Sequence, residues 1–299
     1  MTRILLLGAD GQLGTELRRS LSPLGDIVAA TLSGRLGEDA CEAADFSEPG
    51  SLQPLVERVA PDIVVNAAAH TAVDRAETER GLAFAINAEA PAVLATACAA
   101  RGARLVHYST DYVFDGSGTR PYREDDATSP LGVYGHSKRA GELAVLGSGA
   151  RHLLFRTAWV YAAHSHNFLR TMLRVGAERD ELRVVADQVG TPTPAALIAD
   201  VTARALERAD ATRSGLWHLT PTGQTSWHGF AEAIFEGAVA RGLLARRPKV
   251  EAITTADYPT PAARPAWSVL DCTALQRDFA IHLPDWREGL ADTLDQLRA

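Results

Sequence analysis

Cysteine and methionine are scarce in this chain, with three and two residues among 299. Cys41, Cys98 and Cys272 lie far apart and form no CxxC pair. That pattern excludes a disulfide scaffold and a cysteine zinc site, and fits a reducing compartment. Long apolar runs are missing as well; none approaches the roughly 18 residues that a membrane span requires. The apolar stretch "ILLLG" is too short for a signal peptide and runs into a glycine loop. The expected location is therefore the cytoplasm, with no membrane contact. Positive charge is not in excess either: the net charge of −7 argues against general nucleic-acid binding. No HExxH, internal repeat or low-complexity segment occurs. His164 and His166 lie two apart without a third ligand at metal spacing, so they read as solvated and mark no metal site.

What is present is an ordinary globular composition, 46% hydrophobic and 22% charged, in a chain long enough for two lobes. "RILLLG" from Arg3, "DIVAATL" from Asp26, "DIVVNAAA" from Asp62, "RLVHYST" from Arg104 and "HLLFRTAWVY" from His152 read as buried strands. Helical spacing of apolar residues separates them, at Leu13–Leu17–Leu21, 52–59, 82–100 and 134–146. Beyond residue 160 the alternation loosens, with helices at 168–177, 196–209 and 227–240 among short strands and the proline clusters "GTPTP" and "YPTPAARP". The expected fold is α/β: a Rossmann-type doubly wound parallel sheet over residues 1–158, then a smaller mixed α/β substrate-binding lobe over 159–299. Parts of 185–220 are open to assignment with the first domain.

The first strand runs into "GADGQLG", with Gly8, Gly11 and Gly14 at three-residue intervals. Glycine suits a turn that needs unusual backbone angles and a close approach to a pyrophosphate, and the next helix aims its amides at that phosphate. The second strand ends "AATLSGR" without an acid to hold a ribose 2′-hydroxyl. Ser33 and Arg35 would instead accept a 2′-phosphate, which favours NADPH, with NADH as the alternative. Further on, "YGHSK" places Tyr134 and Lys138 four apart on one helix face. A free phenol titrates near pH 10, and a neighbouring ammonium lowers that value toward the range useful to a catalytic acid. Behind a dinucleotide loop, the pair reads as an acid and the charge that tunes it.

The GxxGxxG spacing together with YxxxK resembles the extended short-chain dehydrogenase/reductases. "NAAAHTAVDRAE", "YSTDYVFDG", "SPLGVYGHSKRAGE", "FRTAWVY", "NFLRTML", "DQVGTPT" and "YPTPAARPAWSVLD" resemble one branch of it, the dTDP-4-dehydrorhamnose reductases, over nearly the whole chain. The resemblance implies reduction of the 4-keto group of dTDP-6-deoxy-L-lyxo-4-hexulose to dTDP-L-rhamnose, with Thr110, Tyr134 and Lys138 as the catalytic set. It implies sugar contacts from Thr110, Asp111, Tyr112 and Trp159. It also places Gln12 and Leu13 at the pyrophosphate, Asp45 and Phe46 at the adenine, and Ala67, Ala68 and Ala69 at the nicotinamide-side ribose. Lys138 would hold that ribose as well, and Tyr134 would also border the cofactor.

Some bacterial members of that family dimerise around magnesium ions held by carboxylates. Glu16 matches one such ligand, but Ala196 stands where those members carry glutamate, which puts a magnesium-bridged dimer in doubt and leaves monomer and homodimer open. Two rival readings remain: a nucleotide-sugar dehydratase or epimerase of the same superfamily, and a non-catalytic partner like the regulatory subunit of methionine adenosyltransferase. Dehydratases carry an acidic pair after the threonine, whereas here Asp111 is followed by Tyr112. The complete set of Thr110, Tyr134 and Lys138 weighs against the regulatory role.

Overall fold

A computed structural model describes residues 1–210 and 212–298. Nine strands matter for the site: β1 (Arg3–Leu7), β2 (Asp26–Thr31), β3 (Glu42–Ala43), β4 (Ile63–Asn66), β5 (Arg104–Thr110), β6 (Arg151–Thr157), β7 (Glu181–Val185), β8 (Gly215–His218) and β9 (Lys249–Ile253). The longer helices are α1 (Gln12–Leu21), α2 (Leu52–Val59), α3 (Arg80–Arg101), α4 (Val133–Gly147), α5 (Phe168–Glu178), α6 (Ala195–Arg208), α7 (Trp227–Ala240), α8 (Thr273–Phe279) and α9 (Trp286–Gln296).

Seven strands form one parallel sheet in the order β8-β6-β5-β4-β1-β2-β3. Successive strand residues face opposite sides, which explains the unbroken apolar runs. Ile4 and Leu6 pack with Leu17, Leu21 and Ile198 on one face. Leu5 and Leu7 pack with Leu52, Val56 and Leu94 on the other. The strand order reverses between β1 and β4, and such a switch point opens a crevice at the carboxyl ends of the strands. A separate apolar cluster of Leu169, Phe230, Phe235, Trp286 and Leu290 forms the core of the second lobe.

Three features depart from the sequence reading. The strand expected through "HLLFRTAWVY" stops at Thr157 because Trp159 takes a left-handed conformation, φ +48°. Val160–Tyr161 then pairs with Thr193–Pro194 instead. Helix α3 contains a π turn at Ala85–Glu89. At 22 residues it also meets the length and composition of a membrane span, contrary to the expectation of no such run, although half of its most apolar window is buried against the rest of the protein. Within 185–220, the stretch left open to assignment with the first domain, β8 from "LWHLT" joins the central sheet beside β6 and α6 lies against α1; further on, α8 covers Trp217 with Phe279, ring centroids 4.9 Å apart.

Helix α4 is fixed to β6 by a buried ion pair. Arg156 donates from Nε to Glu142 Oε1 at 2.7 Å and from its terminal nitrogen to Oε2 at 2.9 Å, and both residues are almost wholly buried. Such a pair is weak net support while intact, but removing one partner strands a buried charge. Arg156→Met is expected to cost about 3–5 kcal/mol in urea unfolding, and adding Glu142→Met to recover most of it. A single-variant loss below about 1 kcal/mol would contradict this account.

Candidate active site

At the carboxyl end of β1 the chain makes a turn that only glycine fits. Gly8 sits at φ +74° with its N–H donating to the Ala30 carbonyl at 3.0 Å. A Cβ there would stand 2.9 Å from the Ala68 nitrogen, and one on Gly14 would collide with the Gly8 carbonyl. The Ala67–Ala69 backbone thus lies directly against the glycine turn, and Ala68 N–H is fixed by Asn66 Oδ1 at 3.1 Å. Helix α1 opens just beyond, so its first amides face the same crevice. This cradle fits the pyrophosphate of a dinucleotide.

The other expected cofactor residues surround it unevenly. Leu13 is half-buried against the core. Gln12 reaches across to the second lobe: it donates to the Val160 carbonyl at 3.1 Å and accepts from Asn167 at 2.8 Å. Ser33 and Arg35 are exposed in a tight turn organised by Thr31, whose hydroxyl accepts from Arg35 N–H at 3.1 Å. The Arg35 guanidinium donates to the Glu38 carbonyl. Asp45 accepts from the Ser47 backbone and hydroxyl, whereas the Phe46 ring is buried in the core beneath the sheet and leaves only its backbone for a ligand.

Two strands away, β5 delivers Thr110 at its end. The Thr110 hydroxyl donates to Asp111 Oδ1 at 2.9 Å and accepts from Tyr112 N–H at 3.2 Å, and it stands close enough to the Tyr134 phenol to oppose the rise of its pKa. Helix α4 supplies Tyr134 and Lys138. Glu77 caps its start, accepting from Val133 N–H at 2.8 Å, where negative charge is favoured by the helix dipole. Gly135 is needed between the two catalytic candidates, because a Cβ would strike the Tyr112 carbonyl. The Tyr112 ring meets Tyr134 edge-on, centroids 5.5 Å apart at 78°.

Electrostatically the site is governed by burial. Burial pushes the Tyr134 phenol up to about 12; Thr110 opposes this and Asp111 reinforces it. Lys138 is pushed down to about 8, again by burial, against the opposing charge of Glu142. Its ammonium donates to the Tyr108 carbonyl at 2.6 Å. The sequence reading had Lys138 lowering the tyrosine; here burial raises it, Thr110 and Asp111 are its other influences, and Tyr134 stays protonated at neutral pH. Burial also raises the Asp111 carboxyl to about 6; the Thr110 hydroxyl donates to its Oδ1, while its Oδ2 is buried without a hydrogen-bond partner among the described residues. Trp159 stacks on Trp227, centroids 3.6 Å apart at 6°.

Several residues of this neighbourhood carry no sequence signal. Asn87, in the π turn of α3, accepts from His70 N–H at 2.9 Å and donates to Ser137 Oγ at 3.0 Å, tying the alanine loop to helix α4. π turns commonly mark functional positions, but one asparagine in an apolar helix does not announce one. Trp227 arrives from the irregular second half, where periodicity gives no register; Ser268 and Arg264 lie in "YPTPAARPAWSVLD", a stretch matched as a whole without a role for either residue.

Glu16 is engaged by His164 at 2.9 Å and Arg19 at 3.6 Å, and Ala196 offers no side-chain oxygen. These residues do not fit a hard cation. His164 is thus a partner of Glu16 and not the solvated side chain expected. Among the described residues no three His, Cys, Asp or Glu side chains gather at metal-binding range.

A glycine cradle at the switch point of a doubly wound sheet, facing a buried threonine, tyrosine and lysine, is the arrangement of a dinucleotide-dependent short-chain oxidoreductase. The whole chain, residues 1–299, matches the family model described as "RmlD substrate binding domain", and the chain belongs to that family. It is 47% identical to the dTDP-4-dehydrorhamnose reductase of Escherichia coli (strain K12), over 98% of this chain and 97% of that protein. It is 50% identical to the dTDP-4-dehydrorhamnose reductase of Burkholderia thailandensis, over 95% of each. Its fold superposes with a TM-score of 0.89 on the dTDP-4-dehydrorhamnose reductase of Bacillus anthracis in complex with NADP, which is 34% identical, over 99% of this chain and 100% of that one.

Asp111 gives a test of the electrostatics. Its folded-state value of about 6 lies above the usual 3.8, so the stability linked to its proton is present below pH 4 and lost as pH rises to 6. At about 1.4 kcal/mol per unit, the wild type should lose roughly 3 kcal/mol relative to Asp111→Asn across that interval, in urea unfolding at a series of pH values. A pH-independent difference would show that Asp111 is not a buried carboxylate at pH 7.

Proposed function

We propose that this chain reduces the 4-keto group of dTDP-6-deoxy-L-lyxo-4-hexulose to dTDP-L-rhamnose, using NADPH. The observation that carries the reading is the buried cluster of Thr110, Tyr134 and Lys138, set on β5 and α4 beside the glycine cradle. The family and its relatives support the substrate; the NADP complex of the Bacillus anthracis protein and the acid-free turn at Ser33 and Arg35 support the cofactor.

In this reading Tyr134 gives its phenolic proton to the carbonyl oxygen that gains charge, and the Thr110 hydroxyl steadies the same oxygen. Two positioned donors in a water-poor site stabilise developing charge far better than water does. Lys138 stands one helical turn from Tyr134, charged at neutral pH, and helps hold the cofactor ribose. Asp111 orients the Thr110 hydroxyl, and Tyr112 with Trp159 walls the sugar. The bound nicotinamide supplies the hydride. Gly8, Gly11, Gln12, Leu13 and Gly14 border the pyrophosphate; Asp45 and Phe46 border the adenine; Ala67, Ala68 and Ala69 border the ribose. We assign the cofactor lobe to residues 1–158 together with α6 and β8, and the substrate lobe to most of 159–299. The proposed location is the cytoplasm.

A dehydratase reading is disfavoured by the Tyr112 ring that follows Asp111, where a second carboxylate would be needed. Tyr134→Phe tests the proton-donor role. Turnover, followed as NADPH oxidation with enzymatically generated dTDP-4-keto-L-rhamnose, should fall by about 100-fold or more. NADPH affinity, measured by fluorescence titration, should stay essentially unchanged. Near-normal turnover in this variant would remove Tyr134 from the mechanism.

A further inference from the structure

Gln12 is the first residue of α1, so its N–H has no partner within the helix and opens on the glycine cradle. Its side chain points the other way, into the second lobe. The amide nitrogen donates to the Val160 carbonyl at 3.1 Å, and the amide oxygen accepts from Asn167 at 2.8 Å. One residue therefore has its backbone at the proposed pyrophosphate and its side chain bound to the segment that follows Trp159.

Asn167 is buried, and both polar atoms of its side chain are engaged. Its Oδ1 accepts from Arg170 N–H at 3.0 Å and caps α5. Its Nδ2 faces Gln12 Oε1, the Ala162 carbonyl at 2.9 Å and the His164 carbonyl at 3.0 Å. The last of these stands just before Ser165, whose φ of +60° is a left-handed angle that costs a non-glycine residue energy. At the other end of the segment Trp159 is left-handed too, held against Trp227. A second tie runs beside the first: His164 meets Glu16 at 2.9 Å, and Gln12 and Glu16 lie four apart on one face of α1. Residues 159–167 are thus bent at both ends and clamped along the helix that opens the cofactor cradle. A segment bent in this way keeps its shape through its contacts and not through its own propensity.

We infer that Asn167 is a positioning residue that couples the two ligand sites: through Gln12 it transmits occupancy of the cofactor cradle to the Trp159 wall of the sugar site. The inference rests on the nucleotide-sugar reading above and goes beyond it, because it makes sugar affinity depend on bound cofactor. A ligand that fixes the start of α1 fixes Gln12. Gln12 in turn fixes the Asn167 amide and the Val160 carbonyl, so the wall is ordered before the sugar arrives. By linkage, the nucleotide sugar tightens the cofactor by the same factor. Asn167 acts here without touching either ligand.

The probe is dTDP-L-rhamnose, titrated into the full chain by calorimetry with and without saturating NADP+. The wild type should bind it about fivefold or more tightly when NADP+ is present. Asn167→Ser keeps an oxygen that can cap α5 and removes the amide donors. In that variant the ratio should fall below about twofold, while NADP+ alone and the probe alone bind as in the wild type. Gln12→Ala, which leaves Asn167 in place, should lower the ratio likewise, and the double variant should lose no more, since both act through one contact. Melting temperatures without ligand report that each variant is folded, and Gln12→Ala carries the test should Asn167→Ser unfold. In turnover at saturating NADPH, Asn167→Ser should raise the KM for the keto sugar more than it lowers kcat. If Asn167→Ser weakens the probe equally with and without NADP+, Asn167 is a ligand contact or a plain cap, and the coupling is refuted. If the wild type reduces the keto sugar but binds the probe equally well with and without NADP+, the inference fails and the function stands. If the wild type neither binds the probe nor reduces the keto sugar, both readings fall.

Discussion

Helix α4 is tied to the sheet through two buried charged side chains, and the chemistry depends on where that docking leaves Tyr134. Lys138 reaches the Tyr108 carbonyl of β5, and one turn later Glu142 takes the Arg156 guanidinium of β6. The helix is thus pinned to two adjacent strands by contacts that tolerate little sliding. Gly135 lets the Tyr112 backbone press against the helix between these anchors. Tyr134 has then little choice but to meet Thr110 at the end of β5. Positioning by a rigid element, and not by a mobile loop, is what a proton donor in a hydride transfer needs.

The same docking desolvates the site, with consequences of both signs. Burial lifts the phenol to about 12 and the Asp111 carboxyl to about 6, and lowers the ammonium to about 8. A protonated Tyr134 and a charged Lys138 coexist at neutral pH in that arrangement, which is the pairing a reduction requires. The carboxylate of Asp111 is costly where it sits, and functional groups often cost stability in this way. At the cofactor end the constraint is space. The Gly8 turn and the alanine loop after β4 approach so closely that no side chain fits between them, as the proposed backbone contact with a pyrophosphate requires.

Sequence reading went furthest where a physical requirement leaves a residue signature. Buried parallel strands read as apolar runs, a close-approach turn reads as Gly8, Gly11 and Gly14, and a helix-borne pair reads as Tyr134 and Lys138 four apart. It went wrong at Trp159, where a tertiary stack on Trp227 holds a conformation that strand propensity disfavours. It credited Lys138 with lowering the tyrosine, because spacing reveals proximity but not burial. His164 read as solvated because its partner, Glu16, lies 148 residues away. Asn87 was illegible for a related reason: it matters through contacts with distant segments, and nothing local distinguishes it.

The central claim is a net reduction in which the cofactor hydride ends on the sugar carbon while Tyr134 protonates its oxygen. The most direct test is to run the reaction with NADPH deuterated at the transferable position of the nicotinamide and to examine the sugar nucleotide by NMR. The account predicts deuterium at C4 of the product, with one oxidised cofactor released per sugar. Deuterium that stays on the cofactor, or a product formed without net cofactor oxidation, would contradict it and favour an epimerase or dehydratase cycle.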